Sequence, residues 1–143
     1  MNETALNILQ RYWHHDAFRP QQEAIIQSVL DGKDTLALLP TGGGKSICFQ
    51  VPALMKDGLC LVISPLIALM KDQLENLTKR GIPALAIHSG MTFYEVRQTL
   101  QHAINGEAKF LYLSPERLET KLFKESLHFL SISLIAVDEA HCV

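Results

Sequence analysis

The chain has 143 residues, of which 48% are apolar, and a formal net charge of −2. This length supports one hydrophobic core and hardly two. The near-neutral charge excludes a general electrostatic attraction to nucleic acid, so any such binding must come from a local groove. No basic segment leads into an apolar stretch at the start, and no apolar run approaches the roughly 18 residues of a membrane span. We expect a cytoplasmic protein that does not cross a membrane.

Short apolar runs alternate along the chain with longer helical stretches. Strands are predicted for residues 35–39, 59–63, 84–88, 110–113 and 132–137, and helices for residues 21–30, 46–55, 66–80 and 92–105. Prolines stand at two of the helix starts and glycines at the stops. The pattern predicts an α/β fold with a parallel sheet and helices on both faces. Cys48, Cys60 and Cys142 show neither C-x-x-C spacing nor clustered histidines, so we expect reduced thiols, two of them in the core.

A glycine-rich loop follows the first apolar run. It consists of Thr41, Gly42, Gly43, Gly44, Lys45 and Ser46. Three glycines allow positive φ and bring backbone N–H groups close to a polyphosphate. Lys45 would contact the β- and γ-phosphates, the Ser46 hydroxyl could bind Mg²⁺, and the next helix would direct its positive end at the phosphates. The general motif has a glycine where Leu39 stands, and the alternative is a tight loop without a ligand.

Two acids, Asp138 and Glu139, end the last apolar run. The run predicts a buried parallel strand, and acids at its tip would be costly unless they serve a cation or a reaction. Ligands bind at the carboxyl ends of such strands. Asp138 could hold Mg²⁺ through water, and Glu139 could orient or deprotonate an attacking water. The alternative is a helix cap or a solvated corner.

Two further strands are followed by serine and proline at a helix start. Ser64 and Pro65 follow one strand, and Ser114 follows another with Arg117 nearby. Such starts can bind phosphates, so they are possible contacts to a DNA backbone. The alternative is ordinary capping by serine. Upstream of the loop, the Gln22 amide could read the adenine edge and select ATP over GTP, although a surface glutamine is the commoner case.

Together these segments resemble the RecQ helicases. The resemblance rests on residues 18–22 (FRPQQ), 40–46 (PTGGGKS), 64–73 (SPLIALMKDQ), 114–118 (SPERL) and 138–142 (DEAHC), in that order and spacing. It implies a RecA-like P-loop NTPase domain of a superfamily 2, DEAH-box DNA helicase. Such an enzyme unwinds DNA in the 3′ to 5′ direction, driven by ATP hydrolysis, in recombination and repair.

The resemblance also implies roles for individual residues. Arg19 and Gln22 contact adenine, and residues 41–46 hold the phosphates, with Lys45 counted among the catalytic groups. In the family an aromatic ring stacks on adenine; the nearest candidates here are His14 and His15, with Tyr12 and Trp13 just before them.

For the reaction itself, the resemblance implies that Ser46 and Asp138 hold Mg²⁺ and that Glu139 is the catalytic carboxylate. His141 would couple the nucleotide state to the rest of the machine.

The family's remaining parts are not found within residues 1–143. These are an aromatic-rich DNA-sensing loop, a second RecA-like lobe with an arginine finger, and zinc-binding and winged-helix regions. We therefore expect a partial N-terminal ATP-binding domain, incomplete at its C-terminal end, that is inactive alone and needs the remainder of the helicase chain. Two alternatives stay open: another superfamily 2 helicase or translocase, and a stand-alone P-loop nucleotide-binding module or small-molecule kinase.

Overall fold

The computed structural model describes residues 4–39 and 44–139, which form two compact units, Met1–Asp57 and Gly58–Val143. Within the first unit, the described elements are three helices: α1 (Ala5–Trp13), α2 (Gln22–Leu30) and α3 (Ile47–Met55). They pack around a small apolar core of Ile8, Leu9, Ile26, Ile47 and Val51. Thr4 begins α1, and its side-chain oxygen accepts a hydrogen bond from the Asn7 N–H at 3.1 Å, as a capping threonine does.

The strand predicted for residues 35–39 is wrong. Residues 33–39 have no regular secondary structure, and Leu36 and Leu38 are 78% and 82% exposed. A strand is stable only when a neighbouring strand pairs with its N–H and C=O groups. The described part of the first unit offers only helices, so the apolar run has no partner for a ladder.

The second unit contains a four-stranded parallel sheet. Its elements are β1 (Leu59–Ile63), α4 (Ile67–Lys79), β2 (Ala84–Ile87), α5 (Phe93–Ile104), β3 (Phe110–Leu113), a 3₁₀ helix (Pro115–Glu119), α6 (Lys121–Leu127) and β4 (Ile132–Val137). The strand order is β2-β3-β1-β4, and every pair is parallel. Four of the five predicted strands are thus confirmed, each within one residue of its predicted ends.

Helices cover both faces of this sheet. Leu61 and Leu111 belong to an apolar cluster that also includes Val96 and Leu100 of α5 and Phe123 of α6. Side chains alternate along a strand, so Tyr112 lies on the opposite face, where it contacts α4. The predicted arrangement of helices on both faces is therefore confirmed for this unit.

Strand β4 departs from its prediction as a buried strand. Ile135 and Val137 are 58% and 45% exposed, whereas β1 and β3 are buried throughout. Among the described strands, β4 pairs only with β1 and lies at the edge of the sheet. The side chains of β4 therefore have a neighbouring strand on one side only, and this leaves them more exposed than those of β1 and β3.

Two thiols lie in the core, as predicted. Cys48 is 5% exposed, Cys60 is fully buried, and both are free. Burial raises the pKa of Cys60 to about 12, against a smaller opposing effect of the Lys109 charge. Burial likewise raises the pKa of Cys48. Cys142 lies outside the described residues.

No helix in the described part of the chain is long and apolar enough to cross a membrane.

Candidate nucleotide-binding site

The N-terminus of α3 carries the two polar residues predicted to contact phosphate and metal. Lys45 and Ser46 directly precede the helix, and both are partly exposed. Ser46 stands at the capping position, but its side chain makes no capping hydrogen bond. The Cys48 and Phe49 N–H groups already donate to the Lys45 and Ser46 carbonyls at 3.0 and 3.2 Å. The helix dipole nevertheless makes this end positive. The start of α3 therefore places a lysine and a hydroxyl at a positive helix end, which suits an anion.

Gln22 connects α2 to the end of the glycine-rich loop. Its side chain is 2% exposed, its Oε1 accepts a hydrogen bond from the Arg19 N–H at 2.7 Å, and its Nε2 donates to the Gly44 carbonyl at 3.1 Å. A buried amide that left either group unpaired would cost about 1–3 kcal/mol. The side chain is thus held by the backbone of the loop on one side and of the segment before α2 on the other.

Gly44 is the one glycine of the loop that lies among the described residues. Its φ is +77°, a region that residues with a Cβ adopt at a cost. A Cβ at this position would lie 2.7 Å from the Gln22 Nε2 atom. Glycine is therefore required here both by the backbone conformation and by the close approach of Gln22.

These contacts give Gln22 a structural role that the sequence pattern did not indicate. A side-chain amide has two N–H groups and two acceptor lone pairs, and the two observed bonds use one of each. The remaining donor and acceptor still match an adenine edge, so the predicted adenine contact stays a prediction. Arg19 is exposed beside it. Thr41, Gly42, Gly43 and His141, which were also predicted to belong to the site, lie outside the described residues.

Asp138 and Glu139 follow β4 at the carboxyl edge of the sheet. The Asp138 N–H donates to the Ile63 carbonyl at 2.9 Å, which fixes the end of β4 against β1. The carboxylate accepts from the Glu139 N–H at 3.0 Å through Oδ1 and from Gln73 Nε2 at 3.3 Å through Oδ2. An ionised carboxylate offers about four acceptor positions, so both oxygens retain capacity for a metal-bound water.

Glu139 has a φ of +52°, which is uncommon for a residue other than glycine. Such a backbone costs about 1 kcal/mol or more, and such conformations cluster at active sites and ligand contacts. The side chain is partly exposed. These features are compatible with the predicted role of Glu139 as the catalytic carboxylate, which stays a prediction.

Ser64 and Ser114 end the adjacent strands β1 and β3 and are 1% and 2% exposed. Their hydroxyl oxygens have no hydrogen-bond partner among the described residues, and neither side chain caps the helix that follows. The ordinary capping role considered for these serines is therefore wrong: Leu66, not Ser64, is the capping residue of α4, and Ser114 stands at the capping position of the 3₁₀ helix without a side-chain capping bond. Their contact with DNA stays a prediction.

Arg117 contacts the protein rather than projecting freely. Its Nη2 donates to the carbonyls of His88 and Met91 at 2.9 and 3.3 Å, and this holds the turn between β2 and α5. A guanidinium has five N–H donors, so this arrangement leaves others for a phosphate. Pro65, the remaining predicted DNA contact, is partly exposed at the carboxyl edge of the sheet.

Comparison with known proteins identifies the family of the chain. Residues 19–143 match the sequence profile described as DEAD/DEAH box helicase. The match covers most of the chain, and the chain belongs to this family. Within it, the resemblance to RecQ helicases predicted from the motifs is confirmed. The chain is 44% identical over 143 residues to the ATP-dependent DNA helicase RecQ of Pasteurella multocida, covering 100% of this chain and 23% of that protein.

A second relative is the probable ATP-dependent DNA helicase RecS of Bacillus subtilis, 45% identical over 135 residues, with 94% of this chain and 27% of that protein covered. The chain thus spans about a quarter of the length of the curated relatives it matches.

Solved structures confirm the RecA-like α/β fold. A hypothetical ATP-dependent RNA helicase from Sulfolobus tokodaii aligns with a TM-score of 0.72 at 21% identity, covering 99% of this chain and 42% of that one. The DUF1998 helicase MrfA bound to DNA aligns with a TM-score of 0.71 at 18% identity, covering 93% of this chain and 20% of that one. At these identities the likeness concerns the fold alone.

Proposed function

We propose that this chain is the nucleotide-binding part of a RecQ-type DNA helicase, which hydrolyses ATP to unwind DNA in the 3′ to 5′ direction during recombination and repair. The observation that carries the proposal is the start of α3, where Lys45 and Ser46 precede the helix and Gln22 holds the adjoining Gly44. The high identity to RecQ helicases along the whole chain supports it. We assign residues 1–143 to the N-terminal RecA-like domain of that enzyme.

ATP would bind with its phosphates against residues 41–46 and the start of α3. Lys45 would neutralise charge that develops on the β- and γ-phosphates, which is where electrostatic stabilisation accelerates phosphoryl transfer most. Arg19 and Gln22 would receive the adenine. The hydrogen bond from Gln22 to the Gly44 carbonyl supports this placement of ATP. It would let one side chain contact both the adenine and the loop that binds the phosphates.

Mg²⁺ is the proposed metal, because Ser46 and Asp138 each offer an oxygen ligand of the kind it prefers. Ser46 has a hydroxyl that is not used in capping, and Asp138 has spare acceptor positions on both carboxylate oxygens. Mg²⁺ prefers oxygen ligands and keeps several waters, so a hydroxyl and a water-bridged carboxylate suit it. When bound, the ion neutralises phosphate charge. Glu139 would orient the attacking water and accept its proton, and His141 would couple that state to the DNA-binding parts.

DNA is the proposed partner, reached through the carboxyl edge of the sheet near Ser64, Pro65, Ser114 and Arg117. The two serines directly follow the neighbouring strands β1 and β3 at this edge. Arg117 donates a hydrogen bond to the turn between β2 and α5. The remainder of the helicase chain would supply the arginine finger and the rest of the DNA path.

Substituting the two acids separately tests the assignment in the complete protein. Glu139→Gln keeps the shape of the side chain but removes its basicity, so Mg-ATP binding should persist while hydrolysis falls by at least about a hundredfold. Asp138→Asn should instead weaken binding and raise the Mg²⁺ requirement. Glu125→Gln, on the exposed surface of α6, is the matched control and should change neither quantity. The assignment of the two acids is reversed if Glu139→Gln abolishes binding while Asp138→Asn retains it.

A further inference from the structure

A chain of hydrogen bonds links the interior of the sheet to the Asp138 carboxylate. Tyr112 is fully buried on β3, and its hydroxyl donates to Gln73 Oε1 on α4 at 2.6 Å. Gln73 Nε2 in turn donates to Asp138 Oδ2 at 3.3 Å. All three residues belong to the second unit and lie on β3, on α4 and directly after β4.

The direction of every bond in this chain follows from Asp138. An ionised carboxylate can only accept, so the NH₂ group of Gln73 must face it. The Gln73 oxygen then faces Tyr112, and the tyrosine hydroxyl must donate. Tyr112 thereby fixes the orientation of the amide, and the amide fixes one carboxylate oxygen. The Glu139 N–H holds the other oxygen at 3.0 Å.

We propose that Gln73 is a positioning residue for Asp138, and that Tyr112 acts on the same carboxylate through Gln73. This inference rests on the proposed function, in which Asp138 helps to hold Mg²⁺. Hydrogen bonds to a metal-binding carboxylate fix its direction, and their loss typically weakens metal binding. Glutamine suits this position because it accepts from tyrosine and donates to aspartate at once, whereas an apolar side chain can do neither.

The test is a Mg²⁺ titration of the complete protein, in which binding of a fluorescent ATP analogue is followed and hydrolysis is not required. Gln73→Leu should raise the Mg²⁺ concentration for half-maximal binding by about tenfold or more. Tyr112→Phe, which keeps the packing of the ring, should raise it by about two- to tenfold. Gln98→Leu and Tyr94→Phe make the same chemical changes at exposed positions of α5 and should leave it unchanged.

The double variant separates a relay from two independent effects. The hydrogen bonds described above link Tyr112 to Asp138 through Gln73, and Tyr112 is proposed to act only by this route. The variant with both Gln73→Leu and Tyr112→Phe should therefore need no more Mg²⁺ than Gln73→Leu alone, whereas independent sites would give additive changes. Additive changes overturn the relay.

The melting temperature of each variant shows whether Gln73 and Tyr112 only stabilise the fold. A lowered melting temperature with an unchanged Mg²⁺ requirement for both single variants would overturn the proposal. Asp138→Asn serves as the reference. If Asp138→Asn leaves the Mg²⁺ requirement unchanged, the metal assignment itself fails. If Asp138→Asn raises it and Gln73→Leu does not, only the positioning role of Gln73 is lost.

Discussion

Replacing Gly44 by alanine should damage the nucleotide site more than the same replacement at other glycines with positive φ. Holding alanine at φ +77° costs about 1–2 kcal/mol. The new Cβ would also lie 2.7 Å from Gln22 Nε2, which must move and give up its bond to the Gly44 carbonyl. A buried amide left unpaired adds about 1–3 kcal/mol, so a total of about 2–5 kcal/mol is expected.

Gly32 provides a matched control for this experiment. It has a φ of +79°, and a Cβ there would meet nothing within 4 Å, so Gly32→Ala should show the backbone cost alone. Urea unfolding of the complete protein measures the free energy for both variants, and titration with a fluorescent ATP analogue measures binding. Gly44→Ala should be less stable than Gly32→Ala and should bind nucleotide more weakly. Equal losses of stability with unchanged nucleotide binding in both variants would refute the contact between Gln22 and the loop.

Three further predictions follow from particular side chains. Gln22→Ala should reduce the preference for ATP over GTP, because a bidentate pair with a base edge is worth about 1–3 kcal/mol; unchanged relative affinities in competition binding would leave Gln22 as a support for the loop alone. Cys60 should resist a thiol-specific reagent at pH 9, where an exposed cysteine reacts, because its pKa of about 12 keeps it protonated until pH rises well above 9; rapid labelling of the folded protein would contradict this. Ser114→Ala should leave the free energy of unfolding unchanged or raise it by about 1 kcal/mol while weakening DNA binding, since its buried hydroxyl has no described partner; a clear loss of stability would indicate a structural hydrogen bond.

Local patterns in the sequence were sufficient to predict most elements of the second unit. Thr92 and Glu95 form a reciprocal capping box at the start of α5, where the sequence analysis places a helix from residue 92. The Gly81 φ of +78° likewise matches its predicted place at the end of a helix. These signals involve residues within one turn of each other, so they do not depend on distant parts of the chain.

Predictions that depended on distant partners were less successful. The apolar run at residues 35–39 has the composition of a strand, but composition cannot supply the neighbouring strand that a ladder needs. Burial of β4 was overestimated for a related reason, since Ile135 and Val137 depend on what covers the edge of the sheet. The order β2-β3-β1-β4 likewise arises from pairing that no local pattern encodes.

The site residues show the same division. The predicted roles of Lys45 and Ser46 came from a contiguous motif, whereas the contact between Gln22 and Gly44 joins residues 22 positions apart. Gln73 and Tyr112 were missed, although a signal existed. Tyr112 is a polar ring in an apolar strand, and Gln73 shares the helix face of Met70 and Leu77, which are buried. A buried tyrosine hydroxyl usually requires a hydrogen-bond partner.

The most direct test of the central claim is ATP hydrolysis by the complete protein with and without single-stranded DNA, measured for the natural sequence and for Lys45→Ala. The claim that the start of α3 binds the phosphates of ATP in a DNA helicase predicts hydrolysis that DNA stimulates. It also predicts that Lys45→Ala lowers the rate at least about a hundredfold, which corresponds to two or three kcal/mol of transition-state stabilisation, in a variant that still unfolds cooperatively. Hydrolysis that persists at the natural rate in a folded Lys45→Ala variant, or that DNA does not affect, would contradict the claim.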